Sequence, residues 1–184
     1  MKANSLRALM LLGLLSMVGA CSTQMVAVMD FDQRFDFAKV KAIAIQPIDR
    51  TNIQLIRFSD MQVSRLNDAI ADELRSKGFE IVEQNADADA YLTWHLVTRE
   101  KTDVRSYNSV SYYNCWRCGP SVSDVSVRQY TEGTLIVDII DPARNQSVWR
   151  STIESRLKSN PDPERSEERR REATSVLFAQ FPPG

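Results

Sequence analysis

The chain has one histidine, His95, and three cysteines in 184 residues. These shortages remove several classes of chemistry. A lone histidine restricts general-base schemes, and no Ser, Cys or Thr nucleophile stands beside an evident base. Glycine-rich phosphate loops, dinucleotide fingerprints and hydrolase elbows are absent, so neither an enzyme activity nor a cofactor is expected. Charge of one sign is not in excess either, with 23 basic and 24 acidic side chains, which gives no electrostatic footprint for nucleic acid. Internal repeats and low-complexity tracts are also missing. The apolar run from Ala8 to Val18 is too short for a transmembrane helix, which takes roughly 20 residues.

That run has a different use. Lys2 and Arg7 precede it and the small pair Gly19-Ala20 follows, which is the layout of a secretory signal peptide. Val18-Gly19-Ala20-Cys21 resembles the bacterial lipobox, which implies cleavage before Cys21 and a diacylglyceryl group on its sulfur. Residues 1–20 are then a leader and 21–184 a single domain lipidated at Cys21. Each buried methylene of an acyl chain contributes about 0.8 kcal/mol, and two chains already give stable attachment. The membrane is therefore an expected partner, reached through the anchor. Ser22, where inner-membrane lipoproteins of enterobacteria carry Asp, points to the outer membrane with the domain facing the periplasm. Loss of Lys2 and Arg7 with the leader reduces 23 basic residues to 21 against 24 acidic, a net charge of minus three.

Apolar periodicity predicts the elements. Met25 to Phe31 reads as a first strand, separated from the anchor by Ser22, Thr23 and Gln24 alone. Val40 to Gln46 alternates Ile43 and Ile45 with Ala42 and Ala44 and ends at Pro47. Ser59-Asp60-Met61-Gln62 has capping-box spacing, followed by a helix to Lys77 with Val63, Leu66, Ile70 and Leu74 on one stripe and Gly78 closing it. Phe79 to Glu83 is a short strand. Ala90 to Glu100 is a longer one, with Leu92, Trp94 and Leu96 inward and Tyr91, Thr93 and His95 outward. Thr134 to Asp141 and Ser147 to Leu157 flank the turn Pro142-Ala143-Arg144-Asn145, with Leu135, Val137 and Ile139 placed to face Trp149 and Ile153. A last helix, from about Pro163 to Gln180, turns Ala173, Val176 and Leu177 to the core. Six strands, two helices and one plausible crossover predict an α+β fold: a mostly antiparallel sheet with both helices on one face.

Asp36-Phe37, Lys77-Gly78-Phe79, Ala86 to Ala90, Gly133-Thr134-Leu135-Ile136-Val137-Asp138, Asp141, Val148-Trp149-Arg150, Phe178 and Phe181-Pro182-Pro183 follow one another in a recognisable order. That order resembles family 4136 of the domains of unknown function, a group of Gram-negative bacterial lipoproteins. The resemblance spans nearly all of the mature chain and implies an envelope lipoprotein with this fold, without supplying a reaction or catalytic residues. The chain departs from relatives in Ala42-Ile43-Ala44-Ile45, where aromatic residues are frequent, and in a cysteine pair where glycine-rich loops are common.

That pair, Cys115-Trp116-Arg117-Cys118, is the other candidate for chemistry. In an oxidising compartment an even pair is expected as a disulfide, here a staple at the tip of a long hairpin. The alternative is a periplasmic thiol-disulfide exchanger using Cys115 and Cys118. Such a site normally has a helix N-terminus beneath the first cysteine, whereas Gly119-Pro120 follows here. Zinc would need a fourth ligand beyond these thiols and His95, so no metal site is expected. Tyr107, Tyr112, Tyr113 and Trp116 stand among Ser and Asn residues, a mixture suited to contact surfaces, and mark where an envelope protein, lipid or glycan could bind. Glu167 and Arg171 are spaced as a helical ion pair.

Overall fold

The computed structural model describes residues 25–48, 59–107, 124–157 and 162–183. Six strands form one sheet in the order β1-β6-β5-β4-β2-β3: β1 Ala27–Phe31, β2 Ala42–Ile45, β3 Glu80–Val82, β4 Ala90–Tyr107, β5 Asp124–Asp141 and β6 Gln146–Leu157. Helix α1, Asp60–Ser76, lies between β2 and β3, and α2, Pro163–Leu177, follows β6. The architecture is α+β, but the sheet is mixed. β1–β6, β6–β5 and β5–β4 pair antiparallel, whereas β4–β2 and β2–β3 are parallel. The β2-α1-β3 crossover is the one the sequence predicts. The second parallel junction arises because the chain passes from β3 across β2 to reach β4 on its other side.

That passage explains the alanines of β2. Residues 83–89 are held over the outer sheet face at both ends: Gln46 and Asn85 exchange amide hydrogen bonds of 2.8 and 3.2 Å, and Asp89 Oδ2 accepts from the amides of Lys41 and Ala42 at 2.9 Å each. Tyr91, on the same face, donates its hydroxyl to the Asn85 carbonyl at 3.5 Å. Ala44 lies beneath this link and is 1% exposed. A larger side chain there would push the link off the sheet.

The inner face follows the alternation rule. Register aligns Leu92 with Ile139, Trp149 and Phe31, then Trp94 with Val137, Ser151 and Met29, then Leu96 with Leu135, Ile153 and Ala27. α1 presents Leu66, Ile70 and Leu74 as its buried stripe, with Val63 partly buried. Both limbs of its capping box are made: Gln62 N donates to Ser59 Oγ at 3.3 Å and Ser59 N to Gln62 Oε1 at 2.9 Å, a device that contributes about 1 kcal/mol. Gly78, at φ +91°, supplies the left-handed residue after the helix. Asp162 caps α2 by accepting from the amides of Glu164 and Arg165, and Pro163 opens it. Leu177 and Phe178 are buried, and Ala173 and Val176 pack against the core.

An aromatic cluster fills one end of the core. Trp149 stacks on Phe178 with ring centroids 5.5 Å apart and meets Phe181 at 4.9 Å. Phe181 in turn touches Phe79 and Phe37. Trp94, farther along the sheet, donates its indole N–H to Asn67 Oδ1 of α1 at 2.8 Å. The inner face therefore holds α1 through Trp94 and the end of α2 through Trp149.

Candidate functional site

Cys21, Cys115, Cys118, Tyr112, Tyr113 and Trp116 lie outside the described residues. Tyr107 is the last residue of β4, paired with Asp124. The structure does show the frame that carries these segments. β6 ends opposite Thr131, but β4 and β5 stay paired from Glu100–Thr131 out to Tyr107–Asp124. They form a two-stranded arm that runs beyond the sheet body. Alternation predicts a strand ending near Glu100 and, beyond it, a long hairpin of irregular strand sequence over 104–113 and 121–130; β4 runs without a break to Tyr107 and β5 begins at Asp124. The arm stays ordered by its own cross-strand ladder rather than by a core.

The chain leading from Cys21 enters at the same end of the sheet. β1 is antiparallel to β6, so its first residue, Ala27, pairs with Ile153 and lies level with Leu135 and Leu96, at the root of the arm. Opposite, at the aromatic end, are the β5–β6 turn and the tail after α2. Side chains brace the root. Lys101 pairs with Glu132, whose carboxylate holds the lysine above its ordinary pKa. Thr131 Oγ1 donates to Glu100 at 2.9 Å. The Arg156 guanidinium lies 3.7 Å from the Tyr130 ring centroid and 3.9 Å from Asp103. Farther out, Val104 and Val127 face each other and are 61% and 58% exposed.

Two other polar constellations escape sequence reasoning because they depend on the β5–β6 register and, for Asp32, on a partner 112 residues away. Asp138, 4% exposed on the outer face, accepts from Arg150 Nε and Nη2 at 2.8 and 3.0 Å and from Ser147 Oγ at 2.6 Å. This bidentate pair raises the Arg150 pKa, first through the hydrogen bond to Asp138. At the aromatic end Arg144 bridges Asp141, at 2.6 Å, and Asp32, at 3.1 Å, tying the end of β1 to the β5–β6 turn. Both groups read as structural clamps: Arg150 and Ser147 engage the Asp138 carboxylate, and Arg144 ties Asp32 to Asp141.

The Asp32 carboxyl is lowered from 3.8 to about 2, chiefly by hydrogen bonds from the Arg34 amide and side chain and then from Arg144. A depressed carboxylate pKa adds stability above the unfolded value, and that stability disappears as pH falls through the folded value. An Asp32→Asn chain should therefore be less stable than its parent near neutral pH, with the gap closing between about pH 4 and about pH 2. Urea unfolding of both chains across that window checks it; a gap independent of pH would contradict the clamp.

A groove of about 680 Å³ runs between the helices, lined by residues that include Arg65, Asp68, Asp72, Glu164, Glu167 and Arg171. Glu167 and Arg171 form the helical pair expected from their spacing. The lining is charged, of mixed sign and open to solvent. Among the described residues no three His, Cys, Asp or Glu side chains come together as a metal site. His95 is exposed on the outer face opposite Ile136. No described helix is long and apolar enough to cross a membrane.

Comparison with known proteins places this geometry. No curated protein matches the chain. Among solved structures, it is similar to a PDZ domain protein from Parabacteroides distasonis, with 15% identity and a TM-score of 0.54, over 88% of this chain and 37% of that one. The chain thus spans little more than a third of that relative. A DUF4136 family protein from Bacteroides thetaiotaomicron matches at 11% identity and a TM-score of 0.46, over 88% of this chain and 97% of the other. A minor lipoprotein from Acinetobacter baumannii matches at 12% identity and a TM-score of 0.35, over 77% and 87% of the two chains. The likeness to the PDZ domain protein concerns the fold alone. The family model of the domain of unknown function DUF4136 matches residues 27–183, from the first strand to the closing prolines, and the chain belongs to that family.

Proposed function

We propose that the protein is an envelope lipoprotein, cleaved before Cys21 and held by its lipid at the outer membrane, whose domain is a non-enzymatic binding or structural module facing the periplasm. The observation that carries this is the join between leader and fold. The lipobox-like Val18-Gly19-Ala20-Cys21 ends just before the domain, and Met25 already packs against its core. Cleavage before Cys21 would make it the first residue of the mature chain, with Ser22, Thr23 and Gln24 alone between it and Met25.

Replacing Cys21 by Ser should abolish fatty-acid labelling and move the protein from the membrane fraction to the soluble periplasmic fraction. Persistent labelling would refute the anchor.

The binding role rests on the segment that joins β4 to β5, whose sequence sets Tyr107, Tyr112, Tyr113 and Trp116 among Ser and Asn residues. Aromatic rings bring contact area at low entropic cost, which suits an envelope protein, a lipid or a glycan. Deleting Asn108 to Pro120 should leave folding intact while removing crosslinks to a partner in cells. Unchanged crosslinks from a folded deletion would dismiss that segment as the contact.

A further inference from the structure

We propose that the β4–β5 arm rests on the phospholipid bilayer that holds the anchor, with Val104 and Val127 as its lipid-facing side chains; this rests on the assignment of Cys21 as the lipidated residue. Topology supplies the first reason. The segment from Cys21 and the arm leave the same end of the sheet, because Ala27 is level with Leu96 through Ile153 and Leu135. From Leu96 to Tyr107 the arm extends ~36 Å at the usual strand rise. The chain from Cys21 to Ala27 reaches at most ~21 Å even when fully extended, and the packing of Met25 against the core shortens it further. With this end of the sheet turned to the membrane, the arm meets the bilayer before the tether is taut.

The distribution of exposed apolar side chains is a second, independent reason. The large hydrophobic residues that stay exposed among the described residues are Val26, Val28, Met61, Val97, Val104 and Val127. None lies at the aromatic end. Val26 and Val28 belong to the segment entering from the anchor, and Val97 is just past Leu96. Met61 is in the first turn of α1, which starts from this end because β2 runs toward it.

The arm itself is two-sided. Val104 and Val127 share a face with the uncharged Thr102 and Gln129, and Glu100 joins that face only at the root, while Lys101, Asp103 and Arg128 alternate onto the other. Beyond its root such a ribbon can lay one face at the interface and keep its charges in water. The anchor already holds the domain at high effective concentration near the lipid, so two valines need only set orientation.

Photocrosslinking of the full chain in cells tests this. A benzophenone amino acid is placed at position 104 or 127, with position 143, in the turn at the opposite end, as control. Acylation of Cys21 is measured in the same samples. Phospholipid adducts several-fold more abundant from 104 and 127 than from 143 are expected. Equal adducts at all three, or adducts to protein alone from 104 and 127, would overturn the arm contact. If Cys21 is acylated and the arm gives no lipid adduct, the arm proposal fails and the anchor stands. Lipid adducts from the arm without acylation would uphold the contact and overturn the anchor, and absence of both would overturn the two together.

Discussion

A Trp149→Ala chain should be less stable than its parent by about 3–5 kcal/mol, the cost of removing a large buried aromatic side chain. Trp149 is 1% exposed and is the ring on which the end of α2 closes, stacked on Phe178 and tilted against Phe181. The surrounding rings reach Phe79 and Phe37, in segments distant from one another in the chain, so collapse into the cavity would have to move several elements together. The loss should appear as a lower urea midpoint at an unchanged slope. Trp149→Phe should cost much less, because Trp149 Nε1 is buried without a hydrogen-bond partner among the described residues and its removal forfeits no bond. A loss under about 0.5 kcal/mol for the alanine variant, the ordinary range of a surface change, would show that the cluster does not pin α2.

Trp94→Ala should be as severe, at about 3–5 kcal/mol, for a different reason. Trp94 is also 1% exposed, but its indole N–H donates to Asn67 at 2.8 Å, so it ties α1 to the sheet by a bond as well as by area. Here the phenylalanine substitution is not mild. It strands Asn67 Oδ1 in a part-buried site, which adds about 1–3 kcal/mol to the loss of volume. The ordering is the test: Trp94→Phe should be more damaging than Trp149→Phe, and the reverse order would contradict the assigned roles of the two indoles.

Much of the sheet body is legible in the sequence because one face is dry and the other wet. Leu92, Trp94 and Leu96 alternate with Tyr91, Thr93 and His95, and Leu135, Val137 and Ile139 do meet the face of Trp149 and Ile153. The start of α1 is legible because a capping box is a local device, written in Ser59 and Gln62 themselves. Where no core exists, alternation fades, and the arm shows in the sequence only as irregular strand-like stretches over 104–113 and 121–130. Thr98 to Tyr107 and Asp124 to Gly133 lie beyond or at the edge of the helix-covered region, so their sequence is free to be polar, and both strands run farther than periodicity indicates. The parallel placement of β2 between β3 and β4 is illegible for another reason. It depends on Asn85 finding Gln46 and on Asp89 finding the amides of Lys41 and Ala42, pairings that no local pattern announces. The alanines of β2 are its one trace in the sequence.

The candidate site follows the same division. The lipobox-like exit and the aromatic loop are local signals and can be read directly, although Cys21, Cys115 and Cys118 lie outside the described residues. What the fold adds is that the strand following Cys21 enters at the root of the arm, so the two share one end of the sheet. Val104 and Val127 carry no signal as separate residues in the sequence, and only their register makes them a pair.

The central claim is the lipid on Cys21, and mass spectrometry of the N-terminal peptide of the protein extracted from its own membrane tests it most directly. A peptide beginning at Cys21 and carrying the mass of a diacylglyceryl group, with or without a third acyl chain, is the expected result. A peptide that begins at any other residue, or an unmodified Cys21, would contradict it.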